Sequence, residues 1–550
     1  MRVAEKLRKI YNLFLKDLHS IFRNKILIGL HIYPFLLLVI LGYFFINDKT
    51  IYIKELINFL LLNCISIALI LSFKNLKFRL LVTWLSIPIL YFLILVKLSF
   101  YYNYRERLSA SAFYTIFETY DSEVVTFLGT YFTAEILVLA FILFLPLFIL
   151  VGLKQFGLSV KSELRKNVSM AMRVVFSVGL VFSVYLIITR LQNVNTFVIS
   201  YNSYRDYNSY LDLSKDNLSN KTTDLLTNVN QVHEPQTHIV VIGESTTKHH
   251  MQLYGYPRQT NPLLSQIKNE LSIFNNVISP HVHTILSLDK ILTLSDYNNA
   301  ERNPNASIVQ LANMAGYRTY WVSNQRKIGI YETLPSVIAN AADESYFLNN
   351  ENSDAQIYDG KLLPVVNNIL QDNNEKRIIF VHLIGTHGNY IKRYPERFNY
   401  FKNEDYPSED KSSKAKKTIN AYDNAIRYND FIIASLIKSL KKQTSKSSLV
   451  YFSDHGDDVY VTTNKNLGHN EYLWTKPMYE VPFIYWQSEK NKVQNKNYTS
   501  RPYILDEFIH SFADITNIRF SEFEPKKSVF NASFMPKRRL IKYQIDYDAN

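Results

Sequence analysis

Cysteine is almost absent: Cys64 is the one cysteine among 550 residues. It falls inside an apolar stretch. No intrachain disulfide can form, and a cysteine-based metal site is excluded. The cysteine count leaves the compartment open, so topology must decide it. The chain also lacks a concentrated Arg/Lys stripe with a nucleic-acid motif. Its formal net charge is +13 and its pI about 9.2. Such a balance suits nucleic acid or an anionic membrane face. Here many basic residues flank apolar spans, which points to the lipid bilayer and to no nucleic-acid partner. No small-residue cleavage site follows the first apolar run, and that run is long, which argues against a cleaved signal peptide.

A mean hydropathy of −0.08 averages two unlike parts. Five apolar runs of spanning length cover roughly 26–46, 56–73, 80–100, 131–153 and 172–190. The segment before the first run carries Arg2, Lys6, Arg8, Lys9, Lys16, Arg23 and Lys25. Lys74, Lys77 and Arg79 mark the second loop, and Lys154, Lys161, Arg165 and Lys166 the fourth. The first and third loops are poorer, with Lys49 and Lys54 in one and Arg105 and Arg107 in the other. The positive-inside rule then puts the N-terminus in the cytoplasm, and five spans put everything after about residue 190 outside. The second span holds Asn63 and Cys64 and is the weakest, but deleting it would invert the later loops against their charge. Residues 1–190 are therefore read as a five-helix transmembrane domain.

The third loop mixes aromatics with Glu118, Thr119, Asp121 and Glu123. Thr119 and Glu123 are four apart and share one face of a helix. Residue types alone favour an interfacial amphipathic helix with an aromatic belt. The functional alternative is a wall of a lipid head-group site. Residues 191–235 are rich in Asn, Ser, Asp, Thr and Tyr and read as a connector along the membrane surface, with a short helix within reach.

From residue 236 to 550, strands alternate with helix-length segments. Strand candidates are 238–243, 318–323, 377–384, 447–453 and 481–486, with helices expected at 306–315 and 415–441. The alternation predicts an α/β domain, a mostly parallel sheet sandwiched by helices. Three strands end in chemically loaded residues. HIVVIGESTT delivers Glu244, RIIFVHLIGTHG delivers His387, and SSLVYFSDHGDD delivers Asp454 and His455. Parallel strands share one carboxyl edge, so these side chains are expected to converge there.

Carboxylates with an imidazole suit Zn²⁺ or Mn²⁺. Glu244, Asp454 and His455 give an O,O,N set with a fourth position open, which distinguishes a catalytic zinc from a structural one. Such a metal activates a hydroxyl, and Ser245, Thr246, Thr247 and Thr284 are the candidates. For Ser245 and Thr246 helix capping is the plainer reading. Thr284 sits in SPHVHTILSLDKILT, near the first turn of an expected helix. There backbone N–H groups can hold phosphate oxygens, although a simple N-cap is the default on pattern alone. His281, His283, His387 and His469 are acid, base or phosphate-binding candidates, with His387 and His469 the better placed.

Taken in order, VIGESTTKHHMQLYGYPRQTNP, SPHVHTILSLDKILT, HLIGTHGNYIKRYP, YFSDHGDD, LGHNEYLW and VPFIYW resemble the membrane-bound phosphoethanolamine transferases of Gram-negative bacteria, within the alkaline phosphatase/sulfatase superfamily. With five spans upstream, the resemblance covers nearly the whole chain. It implies zinc held by Glu244, Thr284, Asp454 and His455, with Thr284 as the nucleophile that becomes phosphorylated. It implies that His387 and His469 contact the phosphoethanolamine group or a second zinc. Thr119 and Glu123 fit the family's head-group motif, although Thr115 stands where an Asn is usual. The implied reaction moves phosphoethanolamine from phosphatidylethanolamine to lipopolysaccharide and releases diacylglycerol. The implied place is the bacterial inner membrane, with the catalytic domain periplasmic. The absence of disulfides and the wording GESTTKHHMQLYGYPRQTNP lean toward members that modify core heptose rather than lipid A. The competing readings are a phosphoglycerol transferase or phospho/sulfo-ester hydrolase of the same superfamily, and a non-catalytic membrane sensor or scaffold.

Overall fold

The computed structural model describes residues 25–46, 49–104, 134–152, 169–297, 305–326, 334–349, 358–372, 376–402, 410–464, 466–471, 474–488, 498–541 and 545–549, with a few isolated positions. The chain divides into two compact units at Asp206–Tyr207.

The first unit contains five helices long and apolar enough to cross a membrane: α1 (Lys25–Phe45), α2 (Lys49–Ser72), α3 (Leu76–Tyr104), α4 (Ala134–Gly152) and α5 (Met170–Arg190). Their apolar residues run all round each helix, as a lipid-solvated bundle requires. Leu38, Phe59, Ile94 and Leu143 fill the interior, while Ile40, Phe92, Phe141 and Phe148 stay exposed. Some polar side chains inside the bundle pair with one another, as His31 Nε2 does with Ser66 Oγ at 2.9 Å and Ser66 Oγ with Ser86 Oγ at 2.8 Å. A 23-residue helix, α6 (Thr196–Leu218), follows. It replaces the short helix expected in the connector.

The second unit is built on a seven-stranded sheet. Its strands are β1 (Gln236–Gly243), β2 (Leu271–Phe274), β3 (Arg318–Arg326), β4 (Glu344–Asn349), β5 (Lys376–His382), β6 (Lys446–Ser453) and β7 (Phe483–Gln487). They lie in the order β2-β7-β6-β1-β5-β3-β4. The five from β6 to β4 run parallel, while β7 and β2 form an antiparallel edge. The mostly parallel α/β expectation therefore holds. β2 and β4 were not anticipated: each is short and only partly buried, so neither shows the solid apolar run of a central strand.

β1 is buried along its whole length, because it pairs on both sides and is covered on both faces. Register then sets the geometry of the edge. Ile242 lies level with His382 on β5, and Gly243 level with Ser453 on β6. The residues that leave β1 and β6 next are Glu244 and Asp454.

Candidate active site

The two acids emerge side by side, and backbone bonds lock them there. Asp454 N donates to Gly243 O at 3.2 Å, and Thr386 N donates to Glu244 O at 3.0 Å. Asp454 Oδ1 accepts from Ser245 N at 3.0 Å and from His455 N at 2.7 Å. Glu244, Asp454 and His455 are all fully buried, and one ligand atom from each lies within 4.8 Å of the others.

Two glycines make this closeness feasible. Gly385 has φ +52°, and a Cβ there would lie 2.8 Å from Glu244 O. Only a glycine lets the loop after β5 cross the Glu244 backbone so tightly. At Gly456 a Cβ would meet Pro477 O at 2.2 Å. Ser245 also has positive φ, at +57°. A non-glycine residue keeps that conformation only where its surroundings hold it. Tyr422 does so from the long helix Ser413–Leu440: its hydroxyl donates to Ser245 O at 2.7 Å and accepts from Thr247 N at 2.9 Å.

Thr284 opens the helix α7 (Thr284–Ile291), and His283 occupies the N-cap position. The default expectation that Thr284 caps the helix is thus corrected: it is the first helical residue, one position further on. Its hydroxyl, half-buried, lies 3.3 and 3.2 Å from the two Glu244 oxygens and 3.5 Å from His455 Nε2. Ser245 and Thr246 do not cap a helix either. Ser245 Oγ donates to Glu244 Oε1 at 2.9 Å, Thr246 Oγ1 to Glu244 O at 3.2 Å, and Thr247 caps the short turn Lys248–His250.

Burial pushes the carboxyl of Asp454 up, and the adjacent charge of Glu244 adds to it. Burial would also raise Glu244, but His455 and His387 hold it below the usual carboxylate range. Burial opposes charging His455, yet Asp454 and Glu244 raise it above an ordinary imidazole. Two carboxyl groups and one imidazole, buried together, thus compete for protons. Asp454 Oδ2 has no hydrogen-bond partner among the described residues; its nearest ionic neighbour is His455 Nε2 at 3.5 Å. A divalent cation would satisfy that oxygen and relieve the competition, and an O,O,N set with a hydroxyl alongside fits zinc.

His469 joins the cluster. Its Nδ1 is 2.7 Å from Asp457 Oδ1 and its ring centroid 4.2 Å from that of His455. His455, Asp457 and His469 form a second group with metal-ligand spacing. His387 lies close enough for its charge to act on Glu244. His283 is buried, its ring 5.6 Å from His469, and burial pushes its imidazole down to about 3. His281 lies in a separate contact, Nδ1 to Glu471 Oε1 at 2.5 Å, stacked on Tyr297. Thr115, Thr119 and Glu123 lie outside the described residues.

Three contributors escaped the sequence reading. Gln325 Nε2 donates to Glu244 Oε2 at 3.2 Å and to Leu383 O at 3.1 Å. It was hidden because β3 runs three residues past the apolar stretch that signalled it. Asp457 sits within DHGDD, but nothing in spacing singles it out from Asp458. Tyr422 acts from a helix some 180 positions away, which no local pattern reveals.

The Sulfatase family pattern matches residues 236–518. Phosphoethanolamine transferase EptC of Escherichia coli K12 is 33% identical over 495 residues, spanning 82% of this chain and 84% of that one. The crystal structure of the E. coli EptC C-terminal periplasmic domain, solved in complex with Zn, is 36% identical with a TM-score of 0.56, covering 59% of this chain and 96% of that one. The integral membrane lipooligosaccharide phosphoethanolamine transferase A of Neisseria meningitidis shares the fold at 17% identity. Its TM-score is 0.56, over 89% of this chain and 100% of that one.

Proposed function

The chain belongs to the phosphoethanolamine transferases of the sulfatase family, and from that premise we propose that it moves phosphoethanolamine from phosphatidylethanolamine to lipopolysaccharide, with core heptose favoured as acceptor. The observation that carries the reading is the Thr284 hydroxyl, presented to Glu244 and His455 at the start of α7. A helix start offers N–H groups and a positive dipole end to phosphate oxygens.

Glu244, Asp454, His455 and Thr284 would hold zinc, which when bound would supply Lewis-acid chemistry, lowering the cost of an alkoxide and drawing charge from phosphoryl oxygens. Thr284 Oγ1 attacks phosphorus, forming one P–O bond as the bond to diacylglycerol breaks, and the diacylglycerol oxygen takes a proton. A hydroxyl or phosphate of the acceptor then attacks the phosphoethanolamine ester on Thr284, freeing the hydroxyl for the next cycle. His387 and His469 contact the phosphoethanolamine group, and Thr119 and Glu123 meet the donor head group. Residues 1–190 anchor the enzyme in the inner membrane, the N-terminus cytoplasmic and residues 236–550 periplasmic, as the Lys/Arg bias supports. The leaving group then never has to quit the bilayer.

Mass spectrometry of lipopolysaccharide from cells with and without the gene tests this. A phosphoethanolamine increment on core heptose is expected; its absence from all lipopolysaccharide would overturn the reading.

A further inference from the structure

A charged cluster lies inside the membrane unit and shares no residue with the zinc site. Lys97 on α3 pairs with Glu55 on α2, Nζ to Oε2 at 2.8 Å, and both are fully buried. Tyr101 donates to the same carboxylate oxygen. Lys97 Nζ also donates to Val194 O at 3.2 Å, and Asn195 Nδ2 donates to Asn58 Oδ1 at 2.9 Å. Two polar atoms of this cluster have no hydrogen-bond partner among the described residues: Glu55 Oε1, an acceptor, and Asn58 Nδ2, a donor. Glu55 and Asn58 are three apart and share one face of α2.

Packing alone does not explain the cluster. A buried ion pair is weak as a source of stability, and well-packed apolar residues commonly do as well. Ionisable residues within spanning helices instead mark sites that handle polar ligands. Depth identifies the ligand class. Glu55 is six residues into α2 and Lys97 seven before the end of α3, each about 10 Å below its helix end at the usual rise. The 29 residues of α3 measure about 43 Å, against about 30 Å of hydrocarbon, so several ångströms at each end stand among head groups. The cluster therefore lies near the boundary between head groups and acyl chains.

We propose that Glu55, Asn58 and Lys97 form a binding site for a zwitterionic aminophospholipid head group, Glu55 taking the primary ammonium and Lys97 with Asn58 the phosphodiester. The internal ion pair holds the site closed until a head group exchanges it for two intermolecular pairs. Glu55 Oε1 supplies the acceptor that an ammonium N–H requires, and Asn58 Nδ2 the extra donor for a phosphate oxygen. The proposal rests on the reading of phosphatidylethanolamine as donor and adds a further set of residues that hold its head group, besides Thr119 and Glu123.

Full-length Thr284→Ala protein, which cannot turn over, is delipidated and titrated with phosphatidylethanolamine, phosphatidylcholine or phosphatidylglycerol by native mass spectrometry. Tighter binding of phosphatidylethanolamine than of the other two is expected. Glu55→Gln should weaken it roughly tenfold or more with phosphatidylglycerol unaffected, and Lys97→Gln should weaken both. Equal binding of the three lipids, or silent substitutions, overturns the proposal. Should the variants fail to fold, a head-group diazirine analogue of phosphatidylethanolamine is photolysed with the Thr284→Ala chain. Adducts within α2 and α3 support the site, and adducts confined elsewhere overturn it. The donor reading fails separately, when wild-type enzyme releases no diacylglycerol from phosphatidylethanolamine.

Discussion

The Thr284 hydroxyl lies 3.2 Å from Glu244 Oε2. One residue begins a helix and the other directly follows the central strand, so this single contact joins the N-terminal end of α7 to the carboxyl edge of the sheet. Such an arrangement serves a nucleophile better than a cap, because the hydroxyl faces the metal-ligand cluster instead of its own helix backbone.

Thr284→Ala should therefore lower phosphoethanolamine transfer by roughly 10⁴-fold or more, as loss of a nucleophile does elsewhere. Thr284→Ser, which keeps the hydroxyl, should retain most of the activity. Because Thr284 is half-buried and does not cap its helix, neither change should shift stability by more than about 1 kcal/mol. Transfer assayed with a fluorescent phosphatidylethanolamine, beside thermal unfolding, checks both. An alanine variant of near-normal activity would remove Thr284 from the mechanism.

Zinc affinity should follow the buried triad. Asp454→Asn keeps an acceptor for Ser245 N and His455 N but removes the charge, and His455→Ala removes the imidazole. Each should weaken zinc binding by roughly 10²-fold or more, beyond the 10–100-fold typical of residues that only support ligands. Competition with a chromophoric chelator measures this. Chelation of the wild-type protein should abolish transfer, and added zinc should restore it.

Much of this site was readable beforehand, and the reason is register. A buried parallel strand announces itself as an apolar run, and the residue after it lies at the sheet edge wherever the strand sits in the order. Glu244 and Asp454 were therefore found from strand ends alone, and level pairing of Gly243 with Ser453 explains why they meet. Thr284 was harder, since helix starts commonly carry a threonine as cap and only its observed contacts separate the two roles. Gln325 and Tyr422 were invisible because each reaches the site from an element whose pattern reports only its own packing. The helix α6 was underestimated for a related reason: TFVISYNSYRDYNSYLDLSKDNL is heavy in Asn, Ser, Asp and Tyr, residues of low intrinsic helix preference.

Tyr422 should behave as a positioning residue for the metal loop. Its hydroxyl bridges Ser245 O and Thr247 N, one and three positions after Glu244. Tyr422→Phe leaves the ring in place and Thr247 N without its partner, at a cost of about 1–3 kcal/mol. Zinc affinity should fall about tenfold. Loss of stability with unchanged zinc affinity would reduce Tyr422 to ordinary packing.

Gly385→Ala should be more damaging than its size suggests. The φ of +52° disfavours any side chain, and the new Cβ would press on Glu244 O at 2.8 Å and Glu244 N at 2.9 Å. About 2 kcal/mol or more of stability should be lost, with weaker zinc binding because Glu244 must move. Urea unfolding with and without zinc separates the two effects. The smaller shift expected of Gly468→Ala, where no atom of the described residues lies within 4 Å of the added Cβ although φ is +84°, would isolate backbone strain from crowding.

Acid should weaken the catalytic unit through Glu480. Burial alone would raise its carboxyl, but His249 at 2.7 Å, the Tyr547 hydroxyl and Lys248 outweigh that and hold it down at about 2. An unfolded chain restores it to about 4.5. Because the folded value is the lower one, its contribution to stability is complete above the unfolded value. It drains away as pH falls from about 4.5 toward about 2. Allowing for solvent screening at this partly exposed carboxylate, the contribution is on the order of 1–2 kcal/mol. Glu480→Gln should accordingly lower stability at neutral pH by about that amount and flatten the decline between pH 4.5 and 2. Denaturant midpoints followed across this range give the answer: parallel curves for the two proteins would mean that Glu480 titrates alike folded and unfolded, and that its three partners do not hold its charge.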